Sequence, residues 1–251
     1  MPDRIDLDGR VAVITGAAGD LGRAAANLLA ARGARIVAID RREADLKAAV
    51  EALPASAGAL AVAADVTRED EVKDYVRAAI DRFGKIDVFF NNAGIEGDVK
   101  KITDYPIESF RRVLEVNVVG VFLGLKHVLP VMLKRDNGSI INTASIAGLI
   151  GSADIAVYSA SKHAVIGLTK SAALECSGTG VRVNCVCPGL IESRMLSSIM
   201  DGRNEKIGER IPARRLGKPA EVASIVAFLA SDEANYVSGS SYTVDGGRTA
   251  S

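Results

Sequence analysis

The apolar run Arg10-Val-Ala-Val-Ile-Thr15 breaks into Gly16-Ala17-Ala18-Gly19-Asp20-Leu21-Gly22. A helical repeat of Leu21, Ala24, Ala25, Leu28, Leu29 and Arg32 follows, closed by Gly33. This order of strand, glycine turn and helix limits the fold more than any other feature of the chain. A strand covered on both faces reads as a continuous apolar run, and apolar spacings of three and four mark one helix face. Glycines let the backbone turn tightly and approach a ligand, while the helix start offers free N–H groups and the positive end of its dipole. The combination makes a diphosphate site. A second strand, Arg35-Ile-Val-Ala-Ile-Asp40, ends in a carboxylate eighteen residues after Gly22 (40−22). That is close to the roughly 20 expected of an acid that binds a dinucleotide ribose. A glycine turn and an ordinary surface aspartate would explain the loop alone, but not the whole order.

Strand-like and helix-like segments alternate along the rest of the chain. Further strands are predicted at Leu60–Ala64, Val88–Asn91, Ser139–Thr143, Val181–Cys187 and Tyr242–Val244. Helices are predicted near Glu43–Leu53, Glu69–Phe83, Ile107–Arg135, Val157–Ser177 and Ala220–Ala230. Alternation of this kind implies an α/β fold: one doubly wound, Rossmann-type parallel sheet of about seven strands with helices on both faces. No linker, repeat or low-complexity tract divides residues 1–251, so a single domain is expected. Asp40, Asp65, Asn91, Ser145 and Pro188 fall at or just after strand ends, which places them on the rim where such sheets bind ligands.

Tyr158 and Lys162 lie four residues apart and share a helix face, with Ser145 thirteen residues before the tyrosine (158−145). An ammonium beside a phenol favours phenolate, so Lys162 is expected to lower the Tyr158 pKa and fit it for proton transfer. A serine hydroxyl held nearby could bind a carbonyl or alcohol oxygen. The Tyr–Lys spacing alone also suits one buried and one solvated side chain; the upstream dinucleotide pattern gives it weight.

From residue 10 to 247 the chain resembles the short-chain dehydrogenase/reductase family. The resemblance rests on Thr15-Gly16 through Gly22, Asp65-Val66, Asn91-Asn92-Ala93-Gly94, Asn117, Ser145, Tyr158 with Lys162, Pro188-Gly189, and Val244-Asp245-Gly246-Gly247. It implies hydride transfer between a nicotinamide and a carbonyl or secondary alcohol. Tyr158 would exchange the proton and Ser145 would hydrogen-bond the reacting oxygen. Lys162 would hold the nicotinamide ribose, and Asn117 would hold a water linking Lys162 to solvent; Asn117 could instead simply bond to backbone. The resemblance assigns the cofactor to Gly16, Asp20, Leu21, Gly22, Asp40 and Arg41, to Asp65 and Val66, and to Asn92, Ala93 and Gly94. On the nicotinamide side it assigns Tyr158, Lys162, Pro188, Gly189, Ile191 and Ser193.

A substrate lid is expected over about 190–216. Leu190 and Met195, with Leu196, Ile199 and Met200, would form an apolar wall opposite Ile95, Leu149, Ile150 and Ile155, although the same spacing suits core packing. Glu96, Asp154 and Glu192 add acids near the mouth. The family also implies a homotetramer built through Ile107–Arg135, Val157–Ser177 and the C-terminal segment.

One residue departs from the family pattern. The loop ordinarily carries a glycine where this chain has Asp20, with Gly19 before it. A carboxylate facing a diphosphate repels it, so Asp20 is expected to turn away and accept a backbone N–H in the first turn of the following helix. Asp40 can bond both ribose hydroxyls and repel a 2′-phosphate, which favours NAD over NADP. Arg41 and Arg42 could pair with such a phosphate and oppose that preference.

The remaining composition excludes other classes. Thirty-one basic and thirty-one acidic residues give a formal net charge of zero, so nucleic-acid binding has no electrostatic basis. The first ten residues are charged and carry no apolar signal core. The longest apolar stretch, about Val116 to Leu125, is too short to span a bilayer. Cys176, Cys185 and Cys187 form no disulfide framework, and His127 and His163 form no metal cluster. Together these point to a cytoplasmic protein without a metal or membrane partner. The basic run Arg203, Lys206, Arg210, Arg214, Arg215 and Lys218 reads either as a solvated helix face or as a dock for an acidic carrier protein.

Three functions compete. One is a secondary-alcohol dehydrogenase or ketone reductase for a small cyclic or aromatic substrate, which Gly94-Ile-Glu-Gly97 and Gly120–Leu125 favour by their likeness to cyclic-ketone members of the family. Another is a 3-oxoacyl-[acyl-carrier-protein] reductase. The third is a non-catalytic dinucleotide sensor, which the intact Ser145, Tyr158 and Lys162 disfavour.

Overall fold

The structure, a computed structural model, describes residues 6–200 and 208–250. The strands are β1 (Val11–Thr15), β2 (Arg35–Asp40), β3 (Leu60–Ala63), β4 (Val88–Asn91), β5 (Gly138–Thr143), β6 (Val181–Pro188) and β7 (Ser241–Val244). They form one sheet in the order β3-β2-β1-β4-β5-β6-β7 with every neighbouring pair parallel. The order reverses between β1 and β4, and the carboxyl ends of these two strands open the crevice where doubly wound sheets take their ligands.

The helices are α1 (Asp20–Ala31), α2 (Glu43–Glu51), α3 (Glu69–Phe83), α4 (Ile107–Leu114), α5 (Gly120–Leu133), α6 (Ala156–Glu175), α7 (Arg194–Met200) and α8 (Pro219–Ala230). Strand alternation divides them between two cores. Val11, Val13, Val37, Ile39 and Phe89 face one side and pack with residues of α3, α5 and α6. Ala12, Ile14, Ile36, Ala38 and Phe90 face the other and pack with α1 and α8. Because both faces are covered, the central strands read as unbroken apolar runs.

Two details differ from the sequence expectation. The helix predicted over Ile107–Arg135 is interrupted by a π turn at Glu115–Val119, which joins α4 to α5 and carries Asn117. Such turns insert one residue into the helical ladder and are frequent at functional sites. In addition, the whole stretch Ile107–Leu133 is long and apolar enough to cross a membrane by length and composition, unlike the shorter run read from the sequence. Half of its most apolar window is buried inside the fold, as befits a helix packed on a sheet.

Candidate active site

The glycine loop is shaped by what it must avoid. Gly16 adopts φ +65°, a conformation that disfavours a side chain, and a Cβ there would lie 3.0 Å from Ala93 Cα. A Cβ on Gly22 would lie 2.2 Å from the Gly16 carbonyl oxygen, so α1 can start close beneath the loop only because residue 22 lacks one. Ala17 N–H donates to the Ile39 carbonyl, and Ala18 N–H donates to Asp40 Oδ2 at 3.1 Å. The other Asp40 oxygen accepts Arg42 N–H at 3.2 Å, so backbone fixes the carboxylate at the end of β2.

A cavity of about 470 Å³ opens over this rim. Its walls take in Gly16, Asp20 and Leu21 from the loop, then Asp40, Arg41, Asp65 and Val66 beside it. Asn92, Ala93, Gly94 and Ile95 line it above β4, and Tyr158, Lys162, Ser193 and Met195 on the far side. Asp65 takes two bonds from Thr67, N–H at 3.0 Å and Oγ1 at 2.7 Å. Burial raises the Asp65 pKa, but the Thr67 bonds and the Arg112 guanidinium outweigh it and hold the carboxylate below its ordinary value.

Gly22, Asn117 and Ser145 do not line the cavity but support it from beneath or from the side. Pro188 ends β6. Gly189 turns against the terminal motif, where a Cβ would lie 2.8 Å from Asp245 Cα, and Ile191 is buried. Leu190 departs from its expected place in a substrate wall. It does not line this cavity; partly buried, it packs on Leu196, Ile211 and Leu216 and lines a smaller pocket with Gly217 and Val244. Ile150 is solvent-exposed and Ile155 stands at the start of α6; neither lines the cavity. Of the basic run, Arg203 and Lys206 lie outside the described residues, as do the side chains of Ile199 and Met200. Arg215 already holds Glu221 with two bonds, at 2.7 and 2.8 Å.

The reactive side chains meet near the ends of β4 and β5. Lys162 is buried, and its Nζ donates to the Thr143 carbonyl at 2.7 Å while lying 5.5 Å from the Tyr158 ring centroid. Asn117 is fully buried. Its Oδ1 accepts Ile95 N–H at 2.8 Å, and its Nδ2 donates to the Ile95 carbonyl at 2.8 Å and to Ser161 Oγ at 3.0 Å. It therefore bonds backbone across the site rather than within its own helix. Ser145, extended at the end of β5, accepts Ala147 N–H at 3.2 Å.

The electrostatics reverse one expectation. Burial pushes the Tyr158 phenol up to about 12, a hydrogen bond with Ser145 pulls it down, and Glu96 pushes it further up. Burial likewise brings Lys162 down to about 8. The depression of Tyr158 by Lys162 is not realised here, since burial sets the direction of both shifts. Burial also raises Glu96, to about 7.

Asp20 does not cap α1, whose first residue it is; the cap position is Gly19, with no side-chain bond. Its Oδ2 instead accepts Arg194 N–H at 2.7 Å, with the Arg194 guanidinium 3.4 Å from Oδ1. A partner at the start of α7 competes successfully with the local N–H groups. Thr15 belongs to the glycine-loop motif, but its bonds, and the parts played by Thr143 and Arg194, emerge only in the structure. Thr15 Oγ1 accepts N–H from both Asn92 and Ala93, at 2.9 and 3.1 Å, and Thr143 Oγ1 donates to Asn92 Oδ1 at 3.1 Å. Both threonines end strands on the rim, whereas Arg194 lies in no motif of the sequence.

The family profile described as Enoyl-(Acyl carrier protein) reductase matches residues 16–249. This chain belongs to the short-chain dehydrogenase/reductase family. It is 41% identical to levodione reductase of Leifsonia aquatica over 96% of this chain and 94% of that protein. It is 42% identical to cyclohexanol dehydrogenase of Acinetobacter sp. (strain SE19), over 97% and 96%. Its fold matches the crystal structure of 3-ketoacyl-(acyl-carrier-protein) reductase from Brucella melitensis complexed with NADH, with a TM-score of 0.93 and 35% identity, covering 97% of this chain and 100% of that one. The chain is thus an oxidoreductase of this family.

Proposed function

We propose that the protein is an NAD(H)-dependent oxidoreductase acting on a small secondary alcohol or ketone, cyclic or aromatic in character. The observation that carries this reading is that Tyr158 and Lys162 line the same cavity as the glycine loop and Asp40. The residues present fit a dinucleotide: a glycine cradle that a Cβ would fill, a helix start behind it, and a carboxylate held by backbone at the end of β2. Gly16 and Leu21 would hold the diphosphate, and Asp40 with Arg41 the adenosine ribose. Asp65 and Val66 would meet the adenine. Asn92, Ala93 and Gly94, together with Pro188, Gly189, Ile191 and Ser193, would flank the nicotinamide half. When bound, the nicotinamide supplies or accepts the hydride.

The chain's own groups handle the proton and the developing charge. Tyr158 donates to the carbonyl oxygen in reduction and accepts from the alcohol in oxidation, while Ser145 donates a hydrogen bond to the same oxygen. Lys162 holds the nicotinamide ribose and supplies positive charge, and Asn117 fixes the loop that carries Ile95. Ile95 and Met195 would contact the substrate, with Ile150 and Ile155 reached by a larger one. The names of the cyclohexanol and levodione enzymes support a cyclic substrate, and the NADH complex of the Brucella enzyme supports NAD. A cytoplasmic homotetramer is part of the same proposal; exposed Ile107, Phe110 and Phe122 on the α4–α5 stretch would be covered in it.

A second reading, reduction of a carrier-bound 3-oxoacyl group, draws on that Brucella relative. The engagement of Arg215 with Glu221 leaves the basic run less free to dock an acidic carrier. Turnover of cyclic ketones, cyclic alcohols and a 3-oxoacyl thioester, each with NADH and NADPH, tests the proposal. NADH-linked turnover of a cyclic ketone or alcohol is expected, and efficient turnover of the thioester alone would overturn it.

A further inference from the structure

Asp20 and Arg194 are joined across the mouth of the diphosphate loop although they lie far apart in sequence. The Asp20 carboxylate accepts Arg194 N–H at 2.7 Å, and the Arg194 Nε lies 3.4 Å from Oδ1. The same guanidinium donates through Nη2 to the Ala18 carbonyl at 2.6 Å. Both side chains stand in the cavity wall beside Gly16, Gly19 and Leu21. Arg23, three residues on in α1, is turned to the backbone, donating to the Ala18 and Asp45 carbonyls. Arg194 is therefore the side chain that answers the charge of Asp20.

A carboxylate at this point competes with any anion that the loop and the start of α1 would attract. We propose that Arg194 is a positioning residue for the dinucleotide, neutralising Asp20 and pinning the start of α7 to the loop, so that Asp20 is tolerated at a position facing the diphosphate only because Arg194 is present. The proposal rests on the dinucleotide reading of the cavity. It differs from simple arginine–phosphate contact by making the effect of Arg194 depend on Asp20. With Asp20 gone, the guanidinium is free to meet the diphosphate directly; with Arg194 gone, the carboxylate stands unanswered.

The test is a double-mutant cycle on binding. NADH dissociation constants are measured by nicotinamide fluorescence for the full chain and for Asp20→Gly, Arg194→Ala and the double variant. ADP and adenosine are titrated by calorimetry, and circular dichroism verifies folding. Arg194→Ala is expected to weaken NADH and ADP by about tenfold or more, and Asp20→Gly to tighten them by about threefold. The double variant should return to within about threefold of the parent, and adenosine, which lacks the diphosphate, should vary little across the set. A double variant as weak as Arg194→Ala alone, or an Arg194→Ala that binds normally, overturns the compensation. Failure of the parent to bind NADH, NADPH or ADP would instead overturn the dinucleotide reading, and this proposal with it.

Discussion

Replacing Asn117 by alanine should loosen the rim above β4 by an amount that can be worked from its bonds. The side chain makes three, to Ile95 N–H, the Ile95 carbonyl and Ser161 Oγ, and is itself fully buried. A hydrogen bond is worth about 0.5–1.5 kcal/mol net, and a buried group left unpaired costs about 1–3 kcal/mol. Ile95 is only half-buried, so water can recover part of the loss at its two backbone groups. The sum is roughly 2–4 kcal/mol, which in a protein of this size lowers Tm by roughly 5–15 °C. Ser161→Ala removes one of the three bonds together with the Ser161 Oγ bond to the Tyr158 carbonyl at 2.7 Å, leaves both Ile95 bonds in place, and should cost about 1–2 kcal/mol. Thermal melts followed by circular dichroism, with urea denaturation as a second measure, give both values. If Asn117→Ala melts within about 2 °C of the parent, Asn117 is not what holds the Ile95 loop, and the reasoning fails. Should the two variants lose the same amount, the Ile95 bonds carry no weight of their own.

Tyr158→Phe should abolish turnover while leaving NADH affinity within about threefold, since only the hydroxyl is lost; near-normal activity in a folded variant would sink the acid/base role. NADH should be used in preference to NADPH, and Asp40→Ala should narrow the gap in kcat/KM; a parent that prefers NADPH would hand control of the site to Arg41 or Arg42. Burial raises Glu96 to about 7, so its contribution to stability is full below its ordinary value of 4.5 and is lost as pH rises through 7. Glu96→Gln should therefore melt higher than the parent at about pH 8 and not at about pH 4, and a difference constant with pH would count against a desolvated carboxyl.

The sequence made the sheet legible because each strand is a short apolar run bounded by glycine, proline or a polar strand end. All seven predicted strands are present, displaced by at most one residue at an end. The glycine loop, Asp40 and the Tyr158–Lys162 pair were readable for the same reason: local spacing fixes their geometry. What could not be read depends on contacts between distant segments. The π turn at Glu115–Val119 goes with Asn117 reaching Ile95, a bond that no helical period encodes. The partner of Asp20 lies beyond β6, so a local cap was the only acceptor role the loop itself suggested. The direction of the Tyr158 shift turned on burial, which spacing does not report. Leu190 suits an apolar wall and a core position alike, and its packing on Leu196, Ile211 and Leu216 depends on contacts that spacing does not report.

Buried charge sits at both rims of the sheet. At the amino ends of the strands, buried Asp87 accepts Val11 N–H at 2.9 Å and meets Lys85 at 2.8 Å, and Arg182 donates to the Leu229 and Ser231 carbonyls at 2.9 and 3.1 Å. Asp87 is satisfied from within the fold, and Arg182 ties strand to helix through Nη2 although its buried Nη1 has no partner among the described residues. At the carboxyl ends, Lys162 and Tyr158 are stripped of water and shifted against their charged forms, Glu96 is raised by burial alone, and Asp40 is held by backbone N–H groups. Lys162 keeps a bond to the Thr143 carbonyl and Asp40 its two backbone donors, while burial penalises the charged forms of Tyr158 and Glu96. A ligand that brings hydroxyls to Asp40 and an oxygen to Tyr158 would add partners to both. The gathering of burial-shifted Tyr158, Lys162 and Glu96 on one rim is physical support for placing the chemistry there.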